Sequence, residues 1–332
     1  MEAVSAQQHH AATEGGLPET EQIAAGLWSV PMPMPGGFLA YSLSVVHVGD
    51  DGAVTVLDPG WAADGSFDRF ADVLHSLGSR VQDVATVVVT HAHPDHIGLA
   101  DPIREASGAR IHVSAREQES IDAQDPDLSE GLAERLGEWH VPGDVAETLL
   151  ARLAQEPARP APPRADDLLE DGDEVPVGGG TWRVLATPGH TPGHLCLVDD
   201  TRRLLFSGDH VLPTLSPGLG LGAPTDTNPV VDYLRALDRL APWDDYQVVP
   251  GHGYRFRGLA ERRAELAEHV LARAREVAHV IDGDPGATTW QVASRLTWTA
   301  GWDQLVGSVR LRSALLQTEL YRDAVLTGDL HL

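Results

Sequence analysis

Four side chains of metal-binding type crowd into positions 91 to 96: His91, His93, Asp95 and His96, within Val87-Val-Val-Thr-His-Ala-His-Pro-Asp-His-Ile-Gly98. Imidazole nitrogen and carboxylate oxygen are the donors that borderline dications such as zinc prefer. Val87, Val88 and Val89 show no polar alternation, which predicts a buried strand. The strand is expected to stop at Thr90, and Pro94 argues against a regular helix across the cluster. The donors are therefore expected on a tight loop at a strand end, where they converge on one point. A purely structural turn has no use for three imidazoles at this spacing.

Three later stretches carry the same residue types: Ala186-Thr-Pro-Gly-His190-Thr-Pro-Gly-His194, Phe206-Ser-Gly-Asp209-His210 and Val249-Pro-Gly-His252-Gly. Taken in order with Thr90-His-Ala-His-Pro-Asp-His-Ile-Gly98, they resemble the metallo-β-lactamase-fold superfamily and its T-H-x-H-x-D-H-x-G signature. The resemblance implies an α/β fold, an αββα sandwich. Carried over residue by residue, it implies one metal site made by His91, His93 and His190. A second is made by Asp95, His96 and His252, with Asp209 shared between them. Asp58 resembles the acid that steadies a ligand imidazole through its outer N–H, a plain turn aspartate being the alternative. His194 is expected to support the site rather than bind metal, and His210 to point away from it.

The cofactors implied are two zinc ions, with iron or manganese as alternatives. Such a pair lowers the pKa of a bridging water, and the resulting hydroxide attacks an electrophile, with Asp95 handling its proton. The Thr-Pro-Gly-His repeat, Ser-Gly-Asp-His and a helical tail look like the thioesterase and glyoxalase II branches. That ranks a small-molecule acyl substrate first, a thioester of the acyl-glutathione or acyl-coenzyme A type. Lactone or β-lactam hydrolysis, RNA phosphodiester cleavage and mononuclear-iron persulfide oxidation are the alternatives.

The elements that must position these residues are legible in part. Phe38–Val46 and Ala53–Leu57 flank an Asp51-Gly52 turn, which predicts a hairpin. Phe67, Phe70, Val73, Leu74 and Leu77 form one face of a predicted helix over 66–77. Residues 115–165 read as a helical insertion, with helices over 128–139 and 145–153 and a proline-rich connector over 156–163. Its place suits a lid, with Trp139 and His140 either lining the pocket or packing within the insertion. The chain then divides into a disordered tail (1–20), a catalytic domain (21–255) and a helical, winged-helix-like C-terminal domain (256–332). That last unit is expected to pack on the core, close the pocket or form a homodimer. Arg255 and Arg257 either hold an anionic group of the substrate or pair with Glu261.

Composition bounds the rest. With 49 acidic residues against 24 basic ones, all arginine, the net charge is −25, which opposes binding to nucleic acid. No apolar run reaches the roughly 18 residues a membrane span needs. The start of the chain lacks the pattern of a secretory signal. A single cysteine, Cys196, excludes an internal disulfide framework, and a cytoplasmic location is expected.

Overall fold

The computed structural model describes residues 1–36, 39–123, 128–155 and 162–330, with the backbone alone for 128–130. Among the described residues, fourteen strands build two seven-stranded sheets. In chain order they are β1 (Glu2–Ala3), β2 (Glu21–Ala24), β3 (Leu27–Pro33), β4 (Tyr41–Val48), β5 (Val54–Leu57), β6 (Val84–Val88) and β7 (Arg110–Ser114). The second half supplies β8 (Asp167–Leu169), β9 (Glu174–Val177), β10 (Gly180–Ala186), β11 (Leu195–Asp199), β12 (Leu204–Gly208), β13 (Gln247–Pro250) and β14 (Phe256–Arg257). One sheet runs β2-β3-β4-β5-β6-β7-β8, and the other β1-β14-β13-β12-β11-β10-β9. Each sheet is antiparallel where hairpins build it and parallel where a helix crosses over, at β5 to β8 and at β12/β13.

The faces that meet carry Val45, Leu57 and Val88 from one sheet and Trp182, Val184, Leu197 and Phe206 from the other, all buried. The outer face of the first sheet packs Val54, Val87 and Ile111 against Phe70, Leu74 and Ile103 of helices Ser66–Ser76 and Ala100–Ser107. The outer face of the second packs Val198, Leu205 and Phe256 against Tyr233, Leu266 and Tyr321 of helices Pro229–Arg239, Leu259–Gly283 and Leu311–Leu326. Helices therefore cover both outer faces, the αββα layering expected from the sequence.

Three expectations need correction. Residues 1–20 are not an unstructured tail: Ser5 caps a helix at Ala6–Glu14 by accepting the Gln8 N–H, and β1 pairs with β14. The polar side chains that suggested disorder make internal bonds instead, since buried Gln8 donates to Ser29 Oγ and accepts the Arg255 N–H. Pro94 does not exclude a helix; it opens one, Pro94–Ile97, at the first helical turn, where its missing N–H is not needed. The C-terminal part is helical, through Leu259–Gly283, Thr289–Ala293, Trp302–Val306 and Leu311–Leu326. Among the described residues it contains no strand after β14, so no wing.

The insertion does form helices, at Ala115–Asp122, Leu128–Glu138 and Gly143–Leu153. Most of the proline-rich connector, residues 156–161, lies outside the described residues, as does Phe38 at the start of the predicted hairpin. The insertion packs on the C-terminal helices: Leu136, Trp139 and Leu149 cluster with Ala293, Leu311 and Leu315. Trp139 is buried within that contact, its indole Nε1 donating to Glu319 Oε1 at 2.8 Å. Its apolar ring packs in the helix contact while its N–H finds a partner, the packing alternative of the two expected for it. His140 is exposed at φ 58°, with Nδ1 2.9 Å from the Glu138 carbonyl.

Candidate metal centre

Strand ends from both sheets deliver the site. β5 leads into Asp58, β6 into Thr90 to His96, β10 into His190, β12 into Asp209 and β13 into His252. Residues that alternate along a buried strand cannot converge, but those just beyond its end can. Cross-links hold the ends together: Gly251 N donates to the Gly208 carbonyl at 2.8 Å, and Leu195 N to the Thr90 carbonyl at 2.9 Å.

His91, His93 and His190 form one group, with His91 Nε2 2.9 Å and His190 Nε2 3.1 Å from His93 Nδ1. Asp95, His96 and His252 form the second, with His252 Nε2 3.1 Å from Asp95 Oδ2 and 3.4 Å from His96 Nε2. Asp209 lies between them. Its Oδ1 is 3.5 Å from His96 Nε2 and 3.4 Å from His252 Nε2, and its Oδ2 is 3.8 Å from His190 Nε2. Donors bound about 2.05 Å from a tetrahedral zinc ion sit roughly 3.3 Å apart, so both groups have the right size.

The hydrogen bonds decide what the inward nitrogens are. Each imidazole turns its other nitrogen to an acceptor: His91 Nδ1 to Thr90 Oγ1 at 3.1 Å, His93 Nε2 to the Leu221 carbonyl at 3.3 Å, and His190 Nδ1 to the Gly218 carbonyl at 2.7 Å. His96 Nδ1 gives its proton to Asp58 Oδ2 and His252 Nδ1 to the Tyr41 carbonyl, both at 2.9 Å. Burial, with the neighbouring imidazoles, pushes His91 well below its ordinary value and His190 to about 4; burial lowers His93 too. Three neutral rings with anchored outer protons therefore aim three lone pairs at one point. Lone pairs repel unless a cation lies between them, so this donor set fits a metal.

The second group is charged differently. Burial opposes protonation of His96 and His252, but the carboxylates win, holding His96 well above its ordinary value and His252 at about 10. The same attraction outweighs burial at Asp95 and Asp209 and keeps both carboxyls low.

The supporting residues are placed as follows. Asp58 accepts from Thr90 N and Thr90 Oγ1, both at 2.7 Å, as well as from His96. Its φ of 51° is strained for a residue with a Cβ, a cost expected where geometry is over-determined. His194 Nδ1 meets Thr187 Oγ1 at 2.9 Å and its Nε2 accepts the Asp209 N–H at 3.1 Å, so it orients Asp209 from behind. His210 is buried against Tyr233, away from the two groups of donors. Arg255 and Arg257 are corrections: Arg255 Nη2 pairs with Glu21 at 2.8 Å, and Arg257 Nη1 donates to the Asp245 carbonyl at 3.4 Å. Neither pairs with Glu261. Arg255 turned inward because Glu21 of β2 and the N-terminal helix, unforeseen from the sequence, cover it.

The profile of the metallo-β-lactamase superfamily matches residues 37–252. The chain belongs to that superfamily. It is 26% identical over 269 residues to a β-lactamase-like protein 2 homologue of Caenorhabditis elegans, covering 81% of this chain and 75% of that one. It is 27% identical over 276 residues to a probable metallo-hydrolase of Bacillus subtilis, covering 80% and 83%. A metallo-β-lactamase family protein of Thermus thermophilus superposes with a TM-score of 0.74 at 28% identity, over 92% of this chain and 95% of that one. A β-lactamase domain protein of Burkholderia ambifaria gives 0.71 at 26%, over 94% and 90%. The protein is thus a metallo-β-lactamase superfamily hydrolase with a histidine and aspartate metal-binding cluster.

Among the described residues no helix is long and apolar enough to cross a membrane. Cys196 is buried, and burial raises its thiol to about 12, which leaves it inert.

Proposed function

We propose that this superfamily member hydrolyses a thioester at a centre of two divalent ions, zinc first. The observation that carries the reading is the pairing of two donor groups around Asp209, one of whose oxygens faces each group. Two ions held there polarise a carbonyl and make water nucleophilic near neutral pH. His91, His93 and His190 would hold one ion and Asp95, His96 and His252 the other, with Asp209 available to both. Asp95 has 13% of its side chain exposed against 2% or less for His96 and His252, so it is the group of its trio best placed to take a proton from incoming water. Asp58, Thr90 and His194 keep the donors oriented while that proton moves.

The acyl assignment rests on the Thr-Pro-Gly-His repeat and on charge. A net charge of −25 repels an RNA backbone, and the two arginines nearest His252 in sequence are already engaged. Without an anion clamp at Arg255 and Arg257, glutathione-type thioesters rank ahead of the more highly charged coenzyme A type. The test is a panel of thioesters, lactones, β-lactams and phosphodiesters offered to metal-depleted protein reloaded with zinc, manganese or iron. The reading expects thioester turnover with zinc that disappears on chelation. Faster turnover of phosphodiesters, or an oxygen-consuming reaction with iron alone, overturns it.

A further inference from the structure

We propose that Glu117 is a positioning residue that sets the spacing of the imidazole trio, an inference that rests on the metal-centre reading above. Glu117 lies in the first turn of helix Ala115–Asp122 and is 1% exposed. Its Oε2 accepts the N–H of Ala92, the residue between His91 and His93, at 2.9 Å. Its Oε1 accepts the N–H of Gly193, on the loop between His190 and His194, at 2.8 Å. One planar carboxylate therefore spans the two loops that carry all three imidazoles. Those loops leave strands of opposite sheets, β6 and β10, so no ladder sets their separation. Glu117 joins them through one side chain, beside the bond from Leu195 N to the Thr90 carbonyl and the bridge through Leu221, whose carbonyl faces His93 Nε2 and whose N–H donates to the His190 carbonyl.

The surroundings are built for this contact. Ser114 Oγ accepts the Glu117 N–H at 3.0 Å and donates to the Gly193 carbonyl at 2.6 Å, so the helix start grips both polar groups of Gly193. A Cβ at 193 would collide with Ser114 Oγ and Glu117 N, and only glycine lets the loop lie this close. A carboxyl is costly to bury for packing alone, and an apolar side chain would fill the space at lower cost. The bonds to Ala92 and Gly193 are what justify it. Through the same loop the effect reaches His194, which holds the Asp209 N–H.

The residue touches no donor atom of the trio, so its role shows in metal affinity before it shows in chemistry. The experiment titrates metal-depleted protein with cobalt(II), following its visible d–d absorption, in wild type, Glu117→Gln, Glu117→Ala and His91→Ala, with melting temperatures of the metal-free forms alongside. Partners that orient metal ligands are typically worth ten- to hundredfold in affinity. Glu117→Gln keeps the volume and one acceptor, and is expected to weaken the equivalent that His91→Ala abolishes about tenfold, sparing the other. Glu117→Ala is expected to weaken it further. A folded Glu117→Gln that binds both equivalents as wild type does overturns the proposal and leaves the metal centre standing. Wild-type protein that binds no cobalt overturns both. Should the variants fail to fold, amide exchange in wild type decides: the Ala92 and Gly193 amides are expected to exchange slowly and shift when metal is added, and fast exchange at both overturns the proposal.

Discussion

Asp58 and His96 are joined by a 2.9 Å bond from Nδ1–H to Oδ2, and the same carboxylate binds the Thr90 amide and hydroxyl. One acid thus fixes the tautomer of a metal-group histidine and anchors the turn on which the other donors sit. Asp58→Asn keeps the backbone tolerance for positive φ but loses an acceptor for His96 or Thr90. It is expected to lower affinity for the second metal equivalent ten- to hundredfold, with a folded circular dichroism spectrum. Wild-type affinity in the variant would refute the role.

His91→Ala removes one of three convergent lone pairs. It is expected to abolish one metal equivalent and all hydrolysis while the fold is kept. Metal analysis and a thermal melt check both halves, and activity near wild type would end the mechanism proposed here.

The two donor groups make metal uptake unequal in protons. The neutral trio gives up none at neutral pH, whereas His252, held at about 10, and His96, held high by Asp209 and Asp58, must each lose one. Calorimetric titration at pH 7 in buffers of different ionisation enthalpy is expected to show proton release for one equivalent only. Equal release for both would contradict the charge pattern.

The metal-free protein should show the same groups in its pH–stability curve. His252 has a raised folded value, about 10 against an ordinary 6.5, so its stabilisation is complete below 6.5 and fades as pH climbs to 10. His190 and His210 are depressed by burial to about 4 and about 3, so theirs is complete above 6.5 and fades on acidification. The melting temperature of metal-free protein is expected to peak near pH 6.5, with saturating zinc removing the alkaline decline. A metal-free curve still rising between pH 7 and 9 would refute the assignment for His252.

Gly251 offers a steric test. A methyl there would lie 2.6 Å from Asp209 Oδ1 and 2.7 Å from His96 Cε1. Gly251→Ala is expected to displace the shared carboxylate and lower turnover about a hundredfold, since displacements near 1 Å carry that cost. Full activity in this variant would argue against Asp209 as the shared group.

What could be read in advance was local or motif-borne. Val87 to His96 announces a strand running into donors within ten positions, and the histidines at 190 and 252 each follow a Pro-Gly pair at a strand end. Asp58 and His194 were legible for the same reason. Glu117 carried no signal, because a glutamate early in a helix is ordinarily a solvated residue and only the meeting of two distant loops makes it otherwise. Arg255 misled by proximity: three positions from His252 in sequence, it faces Glu21, contributed from a strand more than 200 positions earlier. Trp139 stayed open between two readings, since an aromatic side chain in an insertion suits a pocket wall as well as a helix contact. The N-terminal helix was missed because polar side chains such as Gln8 and Ser5 are satisfied by partners far along the chain.

The pairing of Glu2 with Arg257 has a consequence for how the molecule is assembled. During synthesis residues 2–3 must wait until β14 has left the ribosome before their sheet edge exists. Until then Gln8 has no Arg255 amide to accept, and the strand beside His252 has an open flank. Closure of that flank is a late event in folding, so of the two donor groups the one that holds His252 is enclosed last.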